Sequence, residues 1–238
     1  MKPRIDEYKY GEVRYCDCMD EDYGLPSLED KSWELCLTDP PYNKKFNGYH
    51  SKLYNMKNYR ENIIYYKDNM KPEEYQEWCM CWFRTLKKIT KSIIISVGIT
   101  NLEMWFRCTN VSDILYNYNR MGKFGSRITI FNKIEPWLYY GNCKQQFNLN
   151  VLEFERMDKH NCLHPCPRDY NVVEFIIKRL EPTSVIDPFL GSGTTAEVCE
   201  KLGIKWLGYE INEVYSQDIE KRLKNIRVEP KQISLETF

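Results

Sequence analysis

The sequence predicts an α/β fold: a mostly parallel sheet flanked by helices, with antiparallel edge strands. Three observations predict it. Short β-branched runs alternate with amphipathic helical stretches over much of the chain. Ser92-Ile93-Ile94-Ile95-Ser96-Val97 is apolar without alternation, as in a strand covered on both faces. Around Ile114–Trp137, strand-like runs follow one another with no helix between, as antiparallel additions do.

Taken in order, Glu12–Cys16 is a short strand ending at Asp17. Residues 20–31 are polar and acidic and suit a loop with a short helix anchored by Leu25 and Leu28. Leu35–Thr38 is a buried strand that delivers Asp39. Pro72–Lys88 is a helix: Pro72 suits its first turn, Glu73 and Glu74 its positive end, Lys87 and Lys88 its negative end. Its buried stripe is expected at Trp78, Cys81, Trp82, Thr85 and Leu86. A strand over Ser92–Val97 and a short helix over Asn101–Cys108 follow. Edge strands are expected at Ile114–Tyr118, Ile128–Phe131 and Trp137–Tyr140. The remainder alternates: helix Asn171–Leu180, strand Ser184–Ile186 ending at Asp187, helix Thr194–Leu202, strand Lys205–Tyr209 ending at Glu210, helix Glu213–Asn225. Val228–Phe238 is a polar tail. With no repeat, low-complexity tract or linker in 238 residues, one domain over 1–238 is expected.

Two strand ends carry chemistry. Asp39-Pro40-Pro41-Tyr42 locks the backbone, because each proline fixes its own φ and restricts the residue before it. Asp39 and the Pro40 carbonyl can accept both hydrogens of an –NH2 group while Tyr42 stacks on the ring that bears it. The plain alternative is a Pro-Pro turn capped by Asp39. The second end, Asp187-Pro188-Phe189-Leu190-Gly191-Ser192-Gly193-Thr194-Thr195, joins a strand to a helix through glycines. There the backbone can approach a ligand closely, and the helix N-terminus offers N–H groups to a carboxylate. About twenty residues after Gly191, the next strand ends at Glu210, placed for the hydroxyls of a ribose. No Lys follows the last Gly, so this is not a phosphate-binding P-loop, and it lacks the dinucleotide spacing. A ligand with a carboxylate at one end and a ribose at the other fits S-adenosyl-L-methionine better than NAD.

The two motifs together resemble the amino-methyltransferases of DNA, which methylate adenine N6 or cytosine N4. The tetrapeptide precedes the cofactor loop, as in the β-type motif order, and the resemblance runs from about Tyr15 to Leu223. It implies a Rossmann-like methyltransferase fold and S-adenosyl-L-methionine as cofactor. His164-Pro165-Cys166-Pro167-Arg168 matches the family's His-Pro segment, which lines the methionine end, with His164 as its contact. Asp17 matches the acidic residue near the cofactor adenine. The implied cofactor site is then Asp17, His164, Asp187, Pro188, Phe189, Gly191, Ser192, Gly193, Thr194 and Glu210. The implied catalytic residues are Asp39, Pro40, Pro41 and Tyr42. The target base must be flipped out of the duplex to reach them. Asp rather than Ser at position 39 favours adenine; cytosine N4 stays the alternative. A cytoplasmic enzyme of the restriction–modification type is expected.

The charge distribution bears on the DNA. Lys+Arg and Asp+Glu are 34 each, so the whole chain says nothing for nucleic acid. Residues 43–71, however, carry seven basic and two acidic side chains among six aromatics. Residues 107–133 carry five basic and one acidic. Basic residues interleaved with aromatics suit a nucleic-acid contact better than a linker. DNA-contacting loops are therefore expected at 43–71 and 119–150, with Lys44, Lys45, Lys52, Arg60, Arg120 and Lys123 as phosphate contacts; solvated lysines are the ordinary alternative. Only 30 residues separate Lys133 from His164, less than the recognition insert such enzymes carry. Sequence reading then falls on those loops or on a second subunit of a homodimer.

The ten cysteines are scattered, without an export signal, and suit reduced thiols. His160–Cys166 has metal-like residue types but no zinc spacing, so no metal is expected. No run is long enough for a membrane span. Two rivals remain: methylation of RNA or of a protein glutamine, whose enzymes place the cofactor loop before an Asn-Pro-Pro-Tyr, and a catalytically silent nucleic-acid-binding subunit. The intact Asp39 and Gly191–Gly193 oppose the second.

Overall fold

The computed structural model describes residues 2–44, 69–123, 132–141, 151–153, 168–224 and 226. Its strands are β1 (Arg4–Glu7), β2 (Gly11–Tyr15), β3 (Trp33–Thr38), β4 (Thr90–Ser96), β5 (Asp113–Lys123), β6 (Asn132–Tyr140), β7 (Val151–Glu153), β8 (Ser184–Asp187) and β9 (Lys205–Tyr209). Its helices are α1 (Pro72–Ile89), α2 (Leu102–Cys108), α3 (Tyr170–Leu180), α4 (Thr194–Leu202) and α5 (Ser216–Leu223). All nine strands form one sheet, ordered β1-β2-β9-β8-β3-β4-β6-β5-β7.

The centre is parallel, from β2 through β9, β8 and β3 to β4. Antiparallel pairs stand toward both margins, β1 with β2, and β4 with β6 and β6 with β5, but the outermost strand β7 corrects the expectation by pairing parallel with β5. This is the expected α/β, Rossmann-like arrangement. From β3 the chain proceeds outward to β4, and from β8 it proceeds the other way to β9. The connections thus diverge between β3 and β8, and their C-terminal ends border the crevice where open α/β sheets bind ligands.

Each sheet face is apolar because successive strand residues point to opposite sides. Ile94, Leu35, Leu37 and Val185 pack on one side with Val172, Val173, Ile176 and Ile177 of α3 and Ala196, Val198 and Cys199 of α4. Ile93, Ile95, Cys36 and Ile186 pack on the other with Cys79, Trp82, Phe83 and Leu86 of α1 and Trp105 of α2. Trp82 and Trp105 are fully enclosed. Burying such side chains contributes roughly 1.5–3 kcal/mol each.

Helix ends follow local chemistry. The Glu74 side chain accepts the Lys71 N–H at 3.3 Å ahead of α1. The Asp169 side chain accepts the Asn171 N–H at 3.0 Å, a cap worth about 1 kcal/mol that sets where α3 begins. Gly203, at φ 66°, closes α4.

Several expectations need correction. The α1 stripe is phased differently: Tyr75, Cys79, Trp82, Phe83 and Leu86 are buried, whereas Cys81 is exposed. A helix this aromatic allows two phases, and packing against β4 and α2 selects one. The stretch expected as one helix over Glu213–Asn225 opens with a 3-10 turn, Glu213–Tyr215, before α5. β1 and β7 were unmarked in the sequence, because four charged-rich residues and three residues are too short for a pattern. The expected strand Ile128–Phe131 and the tail Val228–Phe238 lie outside the described residues. The described cysteines, Cys16, Cys18, Cys36, Cys79, Cys81, Cys108 and Cys199, are free thiols. No described helix is long and apolar enough to cross a membrane.

Candidate active site

The two motif loops meet where the connections diverge. Thr38, the last residue of β3, donates its hydroxyl to Asp187 Oδ1 at 2.7 Å. Asp187 also accepts the Thr195 hydroxyl at 2.8 Å and the Phe189 N–H at 3.1 Å. It is buried, and burial pushes its carboxyl up from the usual range, opposed by those hydrogen bonds. Asp187 is thus the tie between the loops, through the residue that precedes Asp39.

On the tetrapeptide side, the backbone is held from α1 and α2. The Tyr75 hydroxyl donates to the Pro41 carbonyl at 2.7 Å. Asn101 Nδ2 donates to the Tyr42 carbonyl at 3.1 Å. Among the described residues no donor reaches the Pro40 carbonyl, so it is left for a ligand. The Tyr42 hydroxyl pairs with Ser96 Oγ at 2.6 Å, which anchors the ring on the end of β4. Gly98 lets this ring pack close: a Cβ there would stand 3.1 Å from Tyr42 Cδ2. Lys44 Nζ lies 4.9 Å from the Tyr42 ring centroid.

Asp39 Oδ1 is sealed from solvent and has no directed hydrogen-bond donor. Its neighbour of opposite charge is Arg168, whose guanidinium rests against it as an ion pair and also meets the Tyr42 hydroxyl. The same guanidinium pairs with Glu135 Oε1 at 2.7 Å and lies 5.0 Å from the Trp137 ring centroid. Burial pushes Arg168 down to about 9, and Asp187 opposes the shift, so the guanidinium stays charged at neutral pH.

On the glycine-loop side, Gly191 and Gly193 take φ of 57° and 83°, a region L side chains enter only with strain. Glu210 is buried and accepts the Gly191 N–H and the Asn212 N–H, each at 2.8 Å. Burial pushes it up to about 7 against those two bonds. Thr194 Oγ1, in the first turn of α4, is enclosed without a partner. The glycine N–H groups are engaged, Gly191 with Glu210 and Gly193 with the Leu190 carbonyl at 3.0 Å, so the enclosed Thr194 hydroxyl is the polar group of this turn left to meet a ligand. Phe189 packs on Trp78 and Trp82 of α1, at ring distances of 5.6 and 5.3 Å. Pro188 is buried, and the Ser192 hydroxyl accepts from Arg222 at 3.4 Å, toward α5.

The remaining expected residues are more scattered. Asp17 accepts the Met19 N–H at 2.9 Å just beyond β2, on the same sheet margin as Glu210, whose N–H donates to the Arg14 carbonyl at 3.1 Å. Arg120 and Lys123 lie on β5. His164, Lys45, Lys52 and Arg60, and the cluster His160–Cys166, fall outside the described residues. Sequence reasoning assigned no role to Thr38, Tyr75, Ser96, Asn101 or Glu135, and placed Arg168 only as the last residue of the His-Pro segment. A signal existed for two: Ser96 is the polar end of an isoleucine run, and Arg168 stands next to the capping Asp169.

Residues 139–221 match the family model described as DNA methylase. The Type II methyltransferase M.HinfI of Haemophilus influenzae is 25% identical, across 99% of this chain and 74% of its own length. Among solved structures, the cytosine-N4-specific PvuII DNA methyltransferase superposes with a TM-score of 0.69, covering 93% of this chain and 89% of that one at 18% identity. M1.HpyAVI in complex with SAM superposes at 0.59, covering 90% and 100%, also at 18% identity. At such identities the superpositions speak for the fold. Together these findings make the chain similar to the DNA methylases, in sequence over residues 139–221 and along M.HinfI, and in fold over most of its length.

Proposed function

We propose that this protein methylates the exocyclic amino group of a base in DNA, adenine N6 in particular, with a flipped-out base seated at Asp39 and Tyr42. The observation that carries this reading is the pair of acceptors at the tetrapeptide. Asp39 Oδ1 is sealed from solvent and meets only the Arg168 guanidinium among the described residues, as an ion pair, and the Pro40 carbonyl has no donor among them. An –NH2 group supplies one hydrogen to each.

The amine of a base is a weak nucleophile because its lone pair is delocalised into the ring. Two acceptors that hold its hydrogens out of the ring plane favour a pyramidal nitrogen and stabilise its growing positive charge. Tyr75 and Asn101 hold the loop backbone, so the acceptors are set before the base arrives. Tyr42, pinned by Ser96, offers its face to the ring. When bound, S-adenosyl-L-methionine supplies an electrophilic methyl group on a sulfonium. Gly191, Gly193, Thr194 and Glu210 would hold it, with Asp17 toward its adenine and His164 toward its methionine end. Phe189, backed by Trp78 and Trp82, excludes water from that side. Adenine is preferred to cytosine because Asp, not Ser, opens the tetrapeptide. Segments 43–71 and 119–150, with Lys44, Lys45, Lys52, Arg60, Arg120 and Lys123, are proposed to contact phosphates, in a single domain spanning 1–238.

The test is transfer of a labelled methyl group to unmethylated DNA, followed by nucleoside analysis. N6-methyladenine is the expected product; N4-methylcytosine overturns the choice of base, and absence of label overturns the function. Asp39→Ala should lose transfer while cofactor binding persists; surviving transfer would refute the role of Asp39.

A further inference from the structure

We propose that Arg168 and Glu135 position the target amine: the Arg168 guanidinium holds the amine's seat on Asp39, and Glu135 draws it aside when the base enters. The inference rests on the function proposed above. The guanidinium is planar, carries N–H donors and lies by the rings of Tyr42 and Trp137, with centroid distances of 5.9 and 5.0 Å. In these respects it imitates an amino-bearing base. One of its nitrogens rests on Asp39 Oδ1, the acceptor that the amine requires. That oxygen is sealed, so two donors cannot occupy it from opposite sides. Entry of the base and contact with Arg168 are therefore mutually exclusive.

An arginine expelled into a low-dielectric crevice without a counter-charge would cost more than the base brings. Glu135 removes that obstacle. Its Oε1 already holds the other guanidinium nitrogen at 2.7 Å, and its Oε2 is steadied by Asn117 Nδ2 at 3.5 Å across the β5–β6 pair. Both side chains of the Arg168–Glu135 pair are mostly shielded, so the attraction is little screened. The Asp169 cap fixes the backbone beside Arg168. A small swing of the side chain, with Nη1 staying on Glu135, then frees Asp39.

The two residues act in opposite senses, which separates positioning from mere support of the fold. Arg168→Met keeps an unbranched stem on Trp137 but vacates the seat, so KM for DNA should fall. Glu135→Gln removes the partner that draws the guanidinium aside, so KM should rise. Each change is expected at about threefold to tenfold, the span of one net hydrogen bond. The measurement is steady-state transfer of labelled methyl from S-adenosyl-L-methionine to unmethylated mixed-sequence genomic DNA, with cofactor binding as the control for folding. Arg168→Lys provides a second variant should Arg168→Met not fold. Its one nitrogen replaces the two that meet Asp39 and Glu135 separately, so its hold on Asp39 is weaker and it too should lower KM. Opposite shifts support the proposal. Shifts in the same direction, or a raised KM in both Arg168 variants, overturn it alone. Wild-type protein that transfers no methyl to DNA overturns the proposed function and this inference with it.

Discussion

Thr38 and Asp187, 149 positions apart in the chain, share a hydrogen bond of 2.7 Å inside the protein. Through it the residue preceding Asp39 is fastened to the residue that opens the glycine loop. The relationship predicts a stability cost for Thr38→Val, which keeps the shape and removes the donor. A buried acceptor deprived of one partner costs about 1–3 kcal/mol. For a chain of this size the melting temperature should drop by roughly 2–10 °C, and thermal denaturation checks it.

Tyr75→Phe leaves the Pro41 carbonyl without its donor at the same packing volume. The loop backbone then loosens beside an acceptor that has to be set within a fraction of an ångström. Turnover should fall by about tenfold to a hundredfold while cofactor affinity stays within about twofold. Single-turnover transfer and equilibrium cofactor binding, measured side by side, check the split.

Glu210 gives a dependence on pH. Burial lifts its carboxyl from 4.5 to about 7, so across that window the folded chain holds a proton that the unfolded chain has released. Its contribution is complete below the lower value and is lost as pH rises through the upper one. The stability difference between wild type and Glu210→Gln should therefore shrink between pH 4.5 and about 7. Chemical denaturation at several pH values measures it. Glu210→Gln should be the less stable protein at low pH, because its amide turns a donor toward the Gly191 or Asn212 N–H.

Gly193→Ala places a Cβ at φ 83° and 3.1 Å from Ile219 Cγ1. The left-handed backbone alone costs roughly 1–2 kcal/mol. The turn into α4 should distort, with cofactor affinity reduced about tenfold. Calorimetric titration with S-adenosyl-L-methionine checks it.

Much of this architecture was readable in the chain itself. α4 and β9 fall on the residues their patterns mark, because glycines bound the helix and a β-branched or aromatic run bounds the strand. Asp39 and Asp187 were readable as strand-end residues because proline and glycine punctuate a chain locally. The helpers were not. Tyr75 looks like one more aromatic of a core stripe, and only the fold shows its hydroxyl on Pro41. Asn101 reads as the start of a short helix, and Glu135 sits in a strand where an acid is ordinary. Their roles arise from long-range neighbours, which no local periodicity encodes. The same limit explains the misphased stripe of α1, where Cys81 and Cys79 are equally apolar and only their surroundings differ.

The side chain of Asn43 holds Met70 by both backbone groups, its amide nitrogen 3.0 Å from the carbonyl and its oxygen 2.7 Å from the N–H. The chain therefore departs from the tetrapeptide and comes back to it through a stapled neck. Lengthening what hangs beyond such a neck costs little, about 0.6 kcal/mol per doubling of length. A segment of another length can be joined there while Asp39 keeps its aim, which makes this junction a place where the chain between residues 43 and 70 can be exchanged without disturbing the tetrapeptide.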